Sequence, residues 1–237
     1  MAEHTIGTAT SLVTATQDRS RAGDADCTPG ERVTRSLLGY GVIAGPVYVA
    51  VTLAQALTRD GYDLTRHQAS LLANGSLGWI QITNFALTGL MVVAAAAGLR
   101  RAYGTGPAAR WAPRLVAVYG ASLVAAGVFR ADPALGFPAG TPDGPGEVSW
   151  HGLLHFAAGG VGFTCLAAAC FVVARRYAAE GRRGRAVWSR ATGAVFLAGF
   201  AMLASSGGSQ AGTVLFTATV IAVWAWLSTV AADAYRR

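Results

Sequence analysis

Two histidines four residues apart, His151 and His155, are the residues of this sequence best suited to metal chemistry. They occur in the segment HGLLH at the start of an apolar stretch, so in a helix they lie one turn apart on one face. That spacing lets two imidazoles bind one Zn²⁺. In the HExxH motif of metalloproteases a glutamate follows the first histidine as general base, but Gly152 has that place here. The pair therefore does not indicate a metalloprotease.

A zinc site also needs a third protein ligand, and the sequence offers His67 and several carboxylates on the same predicted side of the membrane. We take His67 as the candidate third ligand beside His151 and His155. In such a site Zn²⁺ would lower the pKa of its bound water toward about 7. Asp132 would then orient a ligand or accept the proton of that water. This set of residues would suit a zinc-dependent intramembrane hydrolase of lipid amides or esters.

The polar residues of the two long loops also have purely structural interpretations. Asp132 begins the segment DPALGFPAG, and an aspartate before a proline and several glycines is typical of a turn. In such a turn the carboxylate accepts hydrogen bonds from nearby backbone N–H groups, and we favour this capping role over a catalytic one. In the other loop, a set of polar residues predicts salt bridges: Arg59, Asp60, Tyr62, Asp63 and Arg66.

The composition is that of a membrane protein. Of the 237 residues, 53% are hydrophobic and 13% are charged, whereas soluble proteins have about 25% charged residues. Six apolar stretches could cross a hydrocarbon core of about 30 Å as helices, the short third and fifth with the help of their flanks. They cover residues 36–57, 79–99, 113–131, 150–174, 189–206 and 211–232. The predicted fold class is therefore all-α, a polytopic membrane protein with a six-transmembrane-helix bundle over residues 36–232.

Arginine placement predicts the orientation of that bundle. The chain has no lysine, and sixteen of its nineteen arginines flank one set of helix ends, the set that includes both termini. Positive charges near helix ends are retained on the cytoplasmic side. We therefore expect a multi-pass protein of the plasma (inner) membrane, with a disordered cytoplasmic tail at 1–35 and a cytoplasmic C-terminus at 233–237. The loops 58–78 and 132–149 would face outward.

Polar side chains recur at helical spacing in the outward halves of the predicted helices. Spacings of three or four residues place each group on one helix face. Because polar groups are costly against lipid, these stripes should face one another and line a polar pocket that opens outward. The alternative is that they only hydrogen-bond between helices, at about 0.6 kcal/mol per contact. The residues expected to bind a ligand are Tyr48, Gln55, Gln81, Asn84, His151, His155 and Gln210.

Several motifs resemble those of a known family. They include GVIAGPVY at 41–48, GWIQITNFALTG at 78–89 and GVFRADPALGFPAG at 127–140. Together with RDGYD at 59–63 and the histidines of the fourth span, they resemble the bacterial integral membrane proteins of the domain-of-unknown-function 998 family, over about residues 37–232. The resemblance implies a six-helix bundle in a bacterial inner membrane, and it implies no activity.

Charge placement disfavours other functional classes. The arginines lie between apolar runs rather than on one face or motif, so the net charge of +7 does not indicate nucleic-acid binding. No Asp, Glu or Arg falls in the middle of a predicted span, which disfavours an ion-coupled transporter. Two hypotheses remain: a bundle that binds a lipid or small amphiphile from the outer leaflet, and the zinc hydrolase. We favour the first, with membrane lipid as the partner.

Overall fold

The computed structural model describes residues 28–237, so residues 1–27 of the predicted tail lie outside the described residues. The described chain forms six α-helices, all long and apolar enough to cross a membrane. No β-strand occurs in residues 28–237. The predicted all-α, six-helix membrane fold is confirmed. The helices are α1 (Pro29–Thr58), α2 (Gly78–Ala102), α3 (Pro107–Val128), α4 (Trp150–Ala179), α5 (Arg183–Ser205) and α6 (Gln210–Tyr235).

Each helix is longer than the apolar stretch that predicted it, and α1 shows the reason most clearly. It begins at Pro29 instead of residue 36 because Thr28 caps it. The Thr28 hydroxyl accepts a hydrogen bond from the Glu31 N–H (3.3 Å), and the Glu31 carboxylate accepts one from the Thr28 N–H (2.8 Å). Residues 29–35 therefore belong to α1 and not to the tail. By contrast, α3 ends at Val128, before its predicted end at residue 131, and exceeds the predicted length only because it begins at Pro107 instead of residue 113.

The six helices form a closed ring in chain order. Each helix packs against the next, and α6 returns to pack against α1. Successive helices run in opposite directions, so their connections alternate between two ends of the ring. One end, the loop end, carries the two long loops at 59–77 and 129–149 and the turn at 206–209. The arginine end carries the start of α1, the connections at 103–106 and 180–182, and the end of α6.

Close contact between neighbouring helices depends on glycine. Gly89 of α2 and Gly120 of α3 face each other, and a Cβ atom on either would lie 2.6 or 2.7 Å from the other's carbonyl oxygen. Gly41 has the same role where α1, α2 and α6 meet, because its Cβ would lie 2.8 Å from the Cβ atoms of Ala95 and Ala231. Small residues let backbones approach in membrane bundles, where van der Waals packing drives association. These helices therefore form the tightly packed side of the ring.

At the arginine end, an ionic cluster ties α6 to the connection between α4 and α5. Asp233 binds Arg182 (2.5 Å) and Arg185, and Arg237 binds Glu180 (2.6 Å). The hydrogen bond from Arg237 and the charge of that guanidinium lower the pKa of Glu180 to about 2. The cluster thus holds α6 against the ends of α4 and α5 at the end of the ring that has no long loop.

Candidate functional site

A cavity of about 550 Å³ occupies the loop-end half of the ring. All six helices contribute to its wall, and both long loops contribute to its roof. Its volume falls in the range of about 300–1,000 Å³ that is typical of small-molecule pockets. Most lining side chains are apolar, and the aromatic ones from the helices are Tyr48, Phe85, Tyr119, Phe156, Phe163, Phe200 and Phe216. The cavity therefore has the size and lining of a site for an apolar ligand.

Stacked aromatic rings close the cavity toward the middle of the bundle. Tyr48 of α1 stacks on Trp224 of α6, with ring centroids 4.9 Å apart. Tyr119 of α3 meets the same indole edge-on at 5.7 Å. Trp224 is 2% exposed and lies behind the two tyrosines that line the cavity. This aromatic layer, near the midpoints of α3 and α6, is the floor of the cavity.

Phenylalanines of α4, α5 and α6 line the cavity opposite α2, and Phe196 packs behind them. The Phe163 ring meets those of Phe196, Phe200 and Phe216 with centroids 5.3, 5.1 and 5.5 Å apart. The rings are inclined by 76°, 75° and 60°, the edge-to-face arrangement that aromatic pairs prefer. This wall consists of side chains whose rings can accept an acyl chain without losing any hydrogen bond.

The loop-end halves of α4 and α5 are packed much more loosely than those of α1 and α2. No residue of α4 from 150 to 161 is buried, and none of α5 from 200 to 205. By contrast, the loop-end turns of α1 and α2 contain buried residues such as Gln55 and Gln81. Gly159, which lines the cavity, would have no atom closer than 3.7 Å to an added Cβ. The cavity is therefore least enclosed along the loop-end halves of α4 and α5, which face lipid in a membrane.

The roof is a folded unit of the two long loops, residues 59–77 and 129–149, which we name the loop cap. Its small core consists of Leu71, Leu72 and Phe137, each at most 3% exposed. The two leucines belong to a short 3₁₀-helix, Ala69–Ala73, of the first loop, whereas Phe137 comes from the second. The loops therefore fold onto each other and cover the cavity at the loop end.

Arg59 joins the parts of the loop cap. It directly follows α1, and its guanidinium donates hydrogen bonds to the backbone carbonyls of Leu72 (2.5 Å) and Asn74 (2.6 Å). The same group lies over the Phe137 ring, 4.9 Å from its centroid. One cation thus holds the end of α1, the 3₁₀-helix and the second loop together. Arg59 therefore forms none of the salt bridges predicted for this loop, because backbone carbonyls and an aromatic ring take the place of a carboxylate. Arg66 of the same loop pairs with Asp143 of the second loop (3.4 Å).

His67 connects the two loops and has no ring nitrogen left for a metal. Its Nδ1 accepts a hydrogen bond from the Asp63 N–H (2.9 Å), and its Nε2 donates one to the Leu135 carbonyl (3.0 Å). The residue is 2% exposed. Within residues 28–237, no three His, Cys, Asp or Glu side chains are grouped so as to hold a metal ion. The described residues therefore do not bring His67 together with His151 and His155 as a ligand set.

His155 is the member of the histidine pair that lines the cavity. Its Nδ1 lies 2.8 Å from the Phe129 carbonyl oxygen and 3.2 Å from that of Ala126, at the end of α3. Because a carbonyl can only accept, Nδ1 carries the proton and Nε2 of the neutral ring keeps a lone pair. That nitrogen has no hydrogen-bond partner in the described part of the chain. His155 therefore offers an unused acceptor to the cavity.

Two of the predicted pocket residues, His151 and Gln210, lie outside the cavity. The His151 ring lies against that of Trp150, with centroids 3.6 Å apart and planes inclined by 34°, and its buried Nδ1 has no partner among residues 28–237. Residues four apart differ by about 40° around a helix, and the edge of the cavity passes between the two histidines. Gln210 is exposed as the first residue of α6. The structure therefore does not bring these two side chains together with His155 in the cavity lining.

Asp132 lines the cavity, but its carboxylate is engaged at the start of α4. It accepts hydrogen bonds from the Ser149 N–H (2.8 Å) and the Ser149 hydroxyl (2.5 Å). Ser149 in turn caps α4 by accepting from the Gly152 N–H (3.1 Å). These contacts give Asp132 the capping role favoured from its sequence context.

The polar stripes of α1 and α2 face each other rather than the cavity. Gln55 donates to Oε1 of Gln81 (2.7 Å), and Asn84 donates to the Tyr48 carbonyl (3.2 Å) and the Thr52 hydroxyl (3.3 Å). Gln81 and Asn84 are 0% and 3% exposed. The structure thus places Gln55, Gln81 and Asn84 between α1 and α2 and not in the cavity lining, because polar groups are costly against lipid and these amides bond each other where two helices meet. Gln55 Oε1 and Asn84 Oδ1 have no hydrogen-bond partner among residues 28–237. Of this group, Tyr48 and Thr52 reach the cavity.

Comparison with known proteins supports the resemblance read from the motifs. Residues 42–233 match the model of a family described as "Protein of unknown function (DUF998)", which covers most of the chain. The chain belongs to this family. No curated protein and no solved structure matches it. In this DUF998 protein, the segment at 78–89 forms the polar face of α2, and the segment at 127–140 leads from α3 into the loop cap.

Sequence reasoning missed the aromatic wall of this DUF998 protein. Phe156 and Phe163 are two turns apart on α4, and Phe196 and Phe200 are one turn apart on α5. Those spacings place each pair on one helix face. The spacing of these phenylalanines indicates an apolar cavity, whereas the polar stripes predicted a polar one.

Proposed function

We propose that this DUF998 protein binds one single-chain lipid or amphiphile in the cavity, taken from the outer leaflet between α4 and α5. The observation that carries the proposal is the shape of the enclosure. The cavity has an aromatic floor and wall, the loop cap covers it at the loop end, and it is least enclosed toward lipid. An apolar chain in the cavity would make van der Waals contacts with the phenylalanines.

Arginine placement supports the outer leaflet as the source. Sixteen of the nineteen arginines belong to the tail or to the arginine end of the ring. Under the positive-inside rule that end faces the cytoplasm. The loop end and the cavity beneath it then lie at the depth of the outer leaflet.

The zinc-dependent hydrolase of lipid amides or esters is the weaker proposal. It needs His151, His155 and a third ligand at one point, with Asp132 near the metal-bound water. Only His155 and Asp132 line the cavity, and both ring nitrogens of His67 are already bound. The geometry of the described residues favours binding over hydrolysis.

Photolabelling in nanodiscs tests the binding proposal directly. The probe is hexadecanol with a diazirine in the middle of its chain, activated after equilibration with the reconstituted protein. We expect labelled peptides to contain residues of the aromatic wall, such as Phe163 and Phe216. Labelling confined to residues on the outer surface of the ring would refute the proposal.

A matched pair of α4 variants provides the control. Gly159→Leu places an isobutyl group in the cavity, where an added Cβ meets only the Phe163 ring at 3.7 Å. Ala157→Leu adds the same side chain two residues earlier, at an exposed position that does not line the cavity. We expect labelling of the cavity to fall at least fivefold in the first variant and to persist in the second. Equal labelling of both variants would contradict a binding site at this place.

A further inference from the structure

We infer that the ligand has an uncharged head group whose hydroxyl donates a hydrogen bond to Nε2 of His155. This inference rests on the proposed function, because it specifies the chemistry of a ligand in the same cavity. It follows from two properties of the lining: His155 and Ser122 present acceptor atoms to the cavity where α3 and α4 meet, and no lysine or arginine is among the lining residues.

Acceptors predominate where α3 and α4 meet. His155 presents the lone pair of Nε2, because its Nδ1–H is committed to carbonyls of α3. The Ser122 hydroxyl donates its proton to the Tyr119 carbonyl (2.7 Å), so its oxygen can only accept from a ligand. Ser122 lies one turn before Ala126, whose carbonyl binds His155, and therefore on the same face of α3. A ligand that donates a hydrogen bond at this place meets two groups able to accept it.

The charges around the cavity disfavour an anionic head group. No arginine lines the cavity, and Asp132 is the acidic residue that does. The Arg59 guanidinium is taken up by the carbonyls of Leu72 and Asn74. A phosphate or carboxylate would therefore meet the charge of Asp132 without a guanidinium to balance it.

The free lone pair of His155 Nε2 is the reason that we expect the cavity to prefer a ligand with a hydroxyl group. When the chain of a bound ligand excludes water from this part of the cavity, an acceptor that finds no donor costs free energy. A ligand that supplies the donor removes that cost, whereas an ether of the same length does not. We expect a hydroxyl ligand to bind about five- to tenfold more tightly than its methyl ether, the range given by one hydrogen bond.

Competition against the photoreactive hexadecanol measures this preference. The competitors are hexadecanol, hexadecyl methyl ether and hexadecanoate at pH 8, with concentrations expressed per mole of nanodisc lipid. We expect hexadecanol to compete five- to tenfold better than the ether, and hexadecanoate to compete no better than the ether. Equal competition by alcohol and ether, or strongest competition by hexadecanoate, would overturn the inference and leave chain binding in place. Absence of any cavity labelling would instead count against the proposed function.

His155→Phe and His151→Phe assign the preference to one nitrogen. Phenylalanine keeps an aromatic ring at each position and removes its hydrogen-bonding atoms. We expect the advantage of alcohol over ether to disappear in the first variant and to persist in the second, where the ring lies outside the cavity. Continued competition by the ether shows that the His155→Phe protein is folded. An undiminished alcohol preference in that variant would contradict a hydrogen bond to His155.

Discussion

Arg59→Met tests whether one side chain holds the loop cap together. The substitution keeps an unbranched side chain next to Phe137 but removes the guanidinium that binds the carbonyls of Leu72 and Asn74. We expect the loop cap to open more often while the six helices remain intact. The reason is that Arg59 contacts the 3₁₀-helix and the second loop, whereas the helices are held by their own packing.

The magnitude of this effect follows from the interactions of the guanidinium that the substitution removes. Hydrogen bonds from charged groups contribute about 1.5–3 kcal/mol each when well shielded, and we take about 1 kcal/mol each for this half-buried guanidinium. The cation–π contact with Phe137 adds about 0.5 kcal/mol. The sum is about 2–3 kcal/mol, which corresponds to opening that is about 30- to 150-fold more frequent.

Hydrogen–deuterium exchange in nanodiscs, followed by mass spectrometry, measures that opening peptide by peptide. We expect faster exchange in peptides from 59–77 and 129–149, and unchanged exchange in α2 and α3. Arg66→Met is the control, since Arg66 belongs to the same loop but forms only a solvent-exposed pair with Asp143 (3.4 Å), worth about 0–1 kcal/mol. Unaltered exchange of the second loop in Arg59→Met, or equal effects of the two variants, would refute the assigned role.

Two further predictions concern the helices. Gln81→Leu removes the acceptor of the 2.7 Å hydrogen bond from Gln55 and two weaker contacts, so we expect it to lower the stability of the bundle by about 1–2 kcal/mol in a denaturant titration in detergent. The control, Thr83→Leu at an exposed position of the same helix, should leave the stability unchanged. An unchanged stability in Gln81→Leu would show that the amide contacts contribute nothing. Glu180 has its pKa lowered from 4.5 to about 2 by Arg237, so its contribution is complete above about pH 4.5 and lost as the pH falls toward 2. Thermal unfolding from pH 6 to pH 3 should therefore show a smaller loss of stability in Glu180→Gln than in the wild type, by about 2 kcal/mol or less, and parallel curves would contradict the predicted linkage.

The sequence predicted the helices well because apolar length is a local property. A stretch of about twenty apolar residues specifies a spanning helix whatever its neighbours are. The same property misplaced boundaries, since caps such as Thr28 extend a helix into polar sequence. Apolar length also contains no information about which helices touch, so the ring was not predicted.

The site was predicted less well because its properties depend on facing side chains. Gln55, Gln81 and Asn84 have the spacing of a pocket lining, but their partners are one another. His151 and His155 share a helix face, yet an angle of about 40° separates a cavity residue from one outside it. The spacing along one helix predicts on which face a residue lies. What that face contacts depends on the neighbouring helix, which the spacing does not predict.

The contact between α1 and α6 has a consequence for biosynthesis. Chains emerge from the ribosome N-terminus first, so α1 enters the membrane before α6 exists. Until α6 arrives, the future cavity is a groove open to the surrounding hydrocarbon, and acyl chains of the bilayer fill any such groove. Closure of the ring by α6 therefore encloses whatever the groove contains. For the proposed lipid site, we expect the newly made protein to acquire its first ligand during assembly, before any exchange between α4 and α5.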